Sequence, residues 1–126
     1  MKQVIETSEA PKAVGSYSKA VENAGLLYVS GQIPSTPVTM TTAEGGIDKP
    51  INQVLDILSA IAQASGATLN NTIKFTIYHT DLRHFLRVNN AMAARLERPY
   101  PARVALEVSG RPKSTLVGID AIIAFN

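Results

Sequence analysis

Leu116-Val117-Gly118-Ile119-Asp120-Ala121-Ile122-Ile123-Ala124-Phe125 reads as a strand that decides how the chain is layered. Val117, Ile119, Ala121, Ile123 and Phe125 fall on one face, and Leu116, Gly118, Asp120, Ile122 and Ala124 on the other. Both faces are largely apolar, as expected of a strand covered twice. Just upstream, Tyr100-Pro101-Ala102-Arg103-Val104-Ala105-Leu106-Glu107-Val108 alternates Val104, Leu106 and Val108 with Arg103, Ala105 and Glu107. One of its faces is apolar and the other charged. The link Ser109-Gly110-Arg111-Pro112-Lys113-Ser114 is short enough for an antiparallel pair. That register would set Arg103 and Ala105 across from Gly118 and Asp120.

Working outward, Thr72 to His79 alternates Ile73, Phe75 and Ile77 with Thr72, Lys74, Thr76 and Tyr78, a strand with one packed face. Asp81 caps a helix running to about Glu97, ended before Pro99. Its apolar stripe is Leu82, Phe85, Leu86, Ala93 and Leu96, and Asn89 lies on that stripe, where a buried amide needs a partner such as loop backbone. An earlier helix starts at Asp48-Lys49-Pro50 with Asp48 as its cap. Ile51, Val54, Leu55, Leu58, Ile61 and Ala62 form its stripe, and Gly66 ends it. Gln3 to Glu6, Tyr17 to Val21 and Leu26 to Gln32 read as strands, with a hairpin turn at Asn23-Ala24-Gly25. Pro34 to Gly46 reads as a surface loop.

The order strands, helix, strand, helix, strands fits one α+β domain over residues 1–126, a single sheet with two helices on one face. Its second face is rich in apolar residues, so burial against other subunits is expected.

Composition narrows the function classes. The 126 residues are 45% hydrophobic and 17% charged, as in an ordinary globular chain. The net charge of +2 is scattered without a basic run, so nucleic acid is a poor candidate partner. The absence of cysteine excludes thiolate chemistry and Cys-ligated metal. The N-terminus has no signal-peptide core, and nothing approaches the roughly 20 apolar residues of a membrane helix. A cytoplasmic location is the default expectation. His79, Asp81 and His84 have a spacing too loose for a metal site, Gly45-Gly46 lacks the Gly-Lys-Ser/Thr of a phosphate loop, and Ser30 has no nearby histidine to activate it. No cofactor is called for. Arg103 remains: its guanidinium fork beside small residues suits a carboxylate or phosphate, or else a structural ion pair with Glu107 or Asp120.

Ala10-Pro11, Gly15-Ser16-Tyr17-Ser18-Lys19-Ala20 and Val29-Ser30-Gly31-Gln32-Ile33-Pro34 resemble the RidA (YjgF/YER057c/UK114) family. So do Thr80-Asp81-Leu82, Val88-Asn89, Tyr100-Pro101-Ala102-Arg103, Glu107-Val108 and Arg111-Pro112-Lys113. The resemblance spans nearly the whole chain in order. It implies a chorismate-mutase-like fold and a homotrimer with clefts between subunits. The implied activity is hydrolysis of reactive enamine and imine acids, such as 2-aminoacrylate, to 2-keto acids and ammonia. Some members carry older descriptions as translation inhibitors or endoribonucleases.

By position, the resemblance makes Arg103 the carboxylate anchor, with Tyr17, Ser30, Gly31, Asn89 and Ala105 shaping the cleft. The chain departs from the family at Ala105, often cysteine, and at Ile57, often asparagine. At Gly118 the deaminases place a glutamate that orients water. Asp120 or Glu107 would then have to handle water. The competing reading is a non-catalytic trimer that binds small 2-keto acids or related carboxylates.

Overall fold

The computed structural model describes residues 1–34, 47–110 and 115–125. Its strands are β1 (Gln3–Ile5), β2 (Ala20–Asn23), β3 (Leu26–Gln32), β4 (Thr72–His79), β5 (Ala102–Glu107) and β6 (Val117–Ala124). The helices are α1 (Asp48–Ala64) and α2 (Phe85–Arg95), the second preceded by a 3-10 turn at Leu82–His84. The β2–β3 hairpin turns on Ala24 and Gly25, both at positive φ (55° and 82°), a left-handed pair whose twist matches the flanking strands. α1 ends as expected at Gly66, which has φ of 88°. Gly66 N–H donates to the Gln63 carbonyl and Ala67 N–H to the Ala62 carbonyl, satisfying carbonyls left open at the helix end. The expected Asp48 cap is not formed. Asp48 sits in the first turn, makes no side-chain cap, and instead binds Arg87 of α2 at 2.7 Å. Asp81 caps the 3-10 turn, accepting from Arg83 N–H at 2.9 Å, and not α2 itself, which follows His84 with no side-chain cap.

One six-stranded sheet has the order β1-β2-β3-β6-β4-β5. The expected antiparallel pairing of the last two strands is not formed: β5 pairs with β4 in parallel, and β6 lies between β3 and β4. Two causes suffice. The α2 crossover between β4 and β5 makes a strand–helix–strand unit, whose natural product is a parallel pair. The strand apolar on both faces takes the centre, while the one carrying Arg103 and Glu107 is left at the edge. Arg103 is therefore level with Phe75 rather than with Gly118, and Ala105 with Ile77.

Both helices cover one face of this sheet. Leu27, Val29, Phe75, Ile77, Val117, Ile119, Ala121 and Ile123 join the α1 and α2 side chains in one buried core. Of the expected stripe Leu96 is buried, but Leu82 and Leu86 are exposed, and Val88 and Met92 of α2 face the core instead. The 3-10 turn spends residues at three per turn before α2 begins, which shifts its phase. The opposite face of the sheet leaves Val4, Tyr28 and Val104 exposed. No helix among the described residues is long and apolar enough to cross a membrane.

Candidate functional site

Arg103 stands on the edge strand β5, on the helix-covered face, and is exposed. Its Nη1 donates to Asn89 Oδ1 at 2.7 Å, and its guanidinium carbon lies 5.0 Å above the Phe85 ring. Phe85 and Asn89 are one helical turn apart on α2, so they present a ring and an amide to the same cation. The ion pairs weighed for Arg103 are absent among the described residues. Glu107 accepts from Leu82 N–H at 3.0 Å, and Asp120 accepts from the Tyr78 hydroxyl at 2.8 Å. Arg103 has five N–H donors, and Asn89 uses one. The rest form an oriented fork with no carboxylate among the described residues to neutralise it. Asn89, expected to hold loop backbone, instead aims this arginine.

Tyr17, Ser30 and Gly31 lie elsewhere. Val29 is level with Ala121 and Gln32 with Ile119, so Ser30 and Gly31 together oppose the single residue Asp120. This is a β-bulge, a device that re-aims a strand. Ser30 N–H donates to the Lys19 carbonyl at 2.9 Å and Ser30 Oγ to the Ser18 carbonyl at 2.7 Å, which ties the segment carrying Tyr17 to β3. Tyr17 and Ser30 share the wall of a 590 Å³ hollow with Lys2, Val4 and Tyr28. Two strands, β6 and β4, separate this group from Arg103. Three strand spacings amount to about 14 Å. Within the chain the candidates thus fall into two separate groups.

Gly118 and Asp120 face away from Arg103, which corrects the expected shared face. Gly118 is level with Tyr78, and Asp120 with Thr76. Tyr78 is level with Gly118, and its hydroxyl reaches Asp120 Oδ2 two residues along β6. Ala105 is half-buried and packs against the core.

Phe85, Tyr78 and His79 did not emerge from sequence patterns as site residues. The spacing of Phe85 from Asn89 was the available signal. His79 is fully buried beside Phe85 with ring centroids 6.2 Å apart. Neither ring nitrogen has a hydrogen-bond partner among the described residues. Burial pushes its pKa below 6.5; His84 and Arg103 add to this, and Asp81 and Glu107 partly oppose it. Asp81 is held down at about 2, chiefly by hydrogen bonding to Arg83. Lys19 is also buried, and burial lowers its pKa against the opposing pull of Glu6. No cluster of three or more metal-binding side chains occurs among the described residues. The 34–46 loop beyond Pro34, the Gly45-Gly46 pair and the Arg111-Pro112-Lys113 match lie outside the described residues.

A family model described as Endoribonuclease L-PSP matches residues 7–125. A RutC family protein of Pyrococcus horikoshii is 43% identical over 122 residues, covering 97% of each chain. The Mus musculus 2-iminobutanoate/2-iminopropanoate deaminase is 34% identical, over 97% of this chain and 90% of its own. The crystal structure of E. coli TdcF with bound serine superposes with a TM-score of 0.85 at 30% identity, covering 98% of this chain and 99% of the other.

Proposed function

Since the chain belongs to the Endoribonuclease L-PSP family, the RidA family of the sequence resemblance, we propose that it hydrolyses 2-enamine and 2-imine acids such as 2-aminoacrylate. Water adds across the C=N bond of the imine tautomer, the C–N bond then breaks, and the products are a 2-keto acid and ammonia. One observation carries this reading: Arg103 is an exposed, oriented fork with no carboxylate partner among the described residues. Such a fork binds a planar carboxylate through two parallel hydrogen bonds. The deaminase name of the mouse relative and the serine bound to the E. coli relative support the substrate class.

The second half-site would come from a neighbouring copy. A homotrimer would bring the Tyr17, Ser30 and Gly31 group of one subunit to the Arg103 edge of the next, burying apolar side chains on the open sheet face. Asp120, held by Tyr78, is the carboxylate available to handle water in place of a residue at 118. Imine hydrolysis is intrinsically easy, so fixing the carboxylate supplies much of the requirement.

The test is ammonia release from 2-aminoacrylate generated in place by a dehydratase. Arg103→Ala should abolish turnover while leaving the assembly intact, and Asp120→Asn should lower kcat by about 10²-fold or more. Wild-type activity in Arg103→Ala would overturn the assignment. A second reading, a non-catalytic carboxylate-binding trimer, is favoured by Gly118 standing where the resemblance places the deaminases' water-orienting glutamate. It predicts Arg103-dependent binding of 2-keto acids with no acceleration of hydrolysis.

A further inference from the structure

A hollow of 410 Å³ opens beside Arg103 between α2 and the edge of the sheet. Its polar lining is concentrated in Arg103, Asn89 and Tyr100, and the rest of it is apolar. Phe75, Met92 and Leu96 supply deep walls, each 8% exposed or less. Tyr100 is braced by Arg98, whose guanidinium carbon lies 5.1 Å from the ring centroid. An apolar recess meeting a few convergent polar groups is the usual build of a small-molecule site, and such sites run from about 300 to 1,000 Å³. Met92 adds an unbranched, adaptable wall that accommodates different shapes.

We propose that this hollow is a side-chain subsite, and that the chain prefers 2-imino acids bearing bulky apolar groups, branched aliphatic or aromatic, over those bearing a methyl. The inference rests on Arg103 as the carboxylate anchor. A carboxylate held there lies at the lip of the hollow, so the group on C2 can enter it. A methyl would leave the outer lining of the hollow, Ala93, Tyr100 and Pro101, facing water. An isobutyl or benzyl group would cover them.

The experiment uses imines made in place by an amino-acid oxidase from leucine, phenylalanine and alanine, comparing kcat/KM by competition with semicarbazide. A parallel titration measures binding of 4-methyl-2-oxopentanoate and pyruvate by calorimetry. Wild type should favour the leucine- and phenylalanine-derived imines by at least about tenfold, the effect of a methylene or more in an apolar pocket. Ala93→Phe places a ring into the hollow from an exposed position on α2, and should reduce that ratio by a similar factor. An unchanged ratio in the variant, or preference for the alanine-derived imine, overturns the subsite. Should wild type hydrolyse none of the imines, the catalytic reading fails separately. Tighter binding of 4-methyl-2-oxopentanoate than of pyruvate then still supports the subsite, and equal or weaker binding overturns it.

Discussion

His79→Leu should make the protein more stable, and increasingly so as the pH falls. The ring is fully buried, and both nitrogens lack partners among the described residues. A neutral imidazole then leaves one donor and one acceptor unmet. Each unmet buried group costs about 1–3 kcal/mol, while an apolar replacement of similar size costs under about 1.5 kcal/mol in imperfect fit. Two unmet groups at that cost, less the imperfect fit, give a net gain of at least about 0.5 kcal/mol at neutral pH. The pH dependence has a definite sign. Burial first, then His84 and Arg103, hold the folded-state pKa below the ordinary 6.5, against the opposing pull of Asp81 and Glu107. Below pH 6.5 the unfolded chain takes up a proton that the folded chain refuses, so wild-type stability is full above that pH. It declines as the pH drops toward the depressed value, by up to about 1.4 kcal/mol per pH unit. The leucine variant lacks this decline. Urea unfolding followed by far-UV circular dichroism at pH 7.5, 6.5 and 5.5, at one fixed protein concentration, measures both effects. A variant less stable than wild type at pH 7.5, or a gain that does not change with pH, would refute the reasoning.

Three further outcomes follow from other positions. Asn89→Ala removes the charge-assisted bond that aims Arg103, and should raise KM for 2-imino acids by about tenfold, since such bonds contribute about 1.5–3 kcal/mol; steady-state kinetics showing an unchanged KM would dismiss the aiming role. Gly118→Glu should destabilise the fold by about 1–3 kcal/mol, because position 118 is buried and level with Tyr78, so a carboxyl added there loses water, and thermal unfolding would show it. Ala24→Asn places a residue tolerant of left-handed backbone in the β2–β3 turn, and should add about 0.5–1 kcal/mol in urea unfolding, part of the ~1–2 kcal/mol that an L side chain forfeits there.

Periodicity served well wherever one element decides its own packing. The Ile51 to Ala62 stripe of α1, its end at Gly66 and the Asn23-Ala24-Gly25 hairpin were all legible. Pairing was not, because local alternation says which face a residue takes but not which strand lies beside it. The double apolar face of β6 is legible in the sequence, yet the short link before it points to a neighbour that the α2 crossover already claims. The same gap misplaced Asp120: its face was right relative to Gly118, but the assumed partner strand was wrong. Arg103 was legible as a candidate from its company on the strand. Its aiming by Phe85 and Asn89 depends on how α2 crosses β5, and that is a tertiary fact. His79 looked like half of a poor metal motif, and only burial identifies it as an orphaned ring.

The central place of β6 also bears on how the chain is made. It is the last strand of the sheet in chain order, yet it joins β3 to β4. While a ribosome is still holding those residues, β1-β2-β3 and β4-β5 are two separate ribbons with apolar edges unpaired. Synthesis must therefore carry an unfinished sheet until its last strand is free to insert, the interval in which unpaired edges invite aggregation.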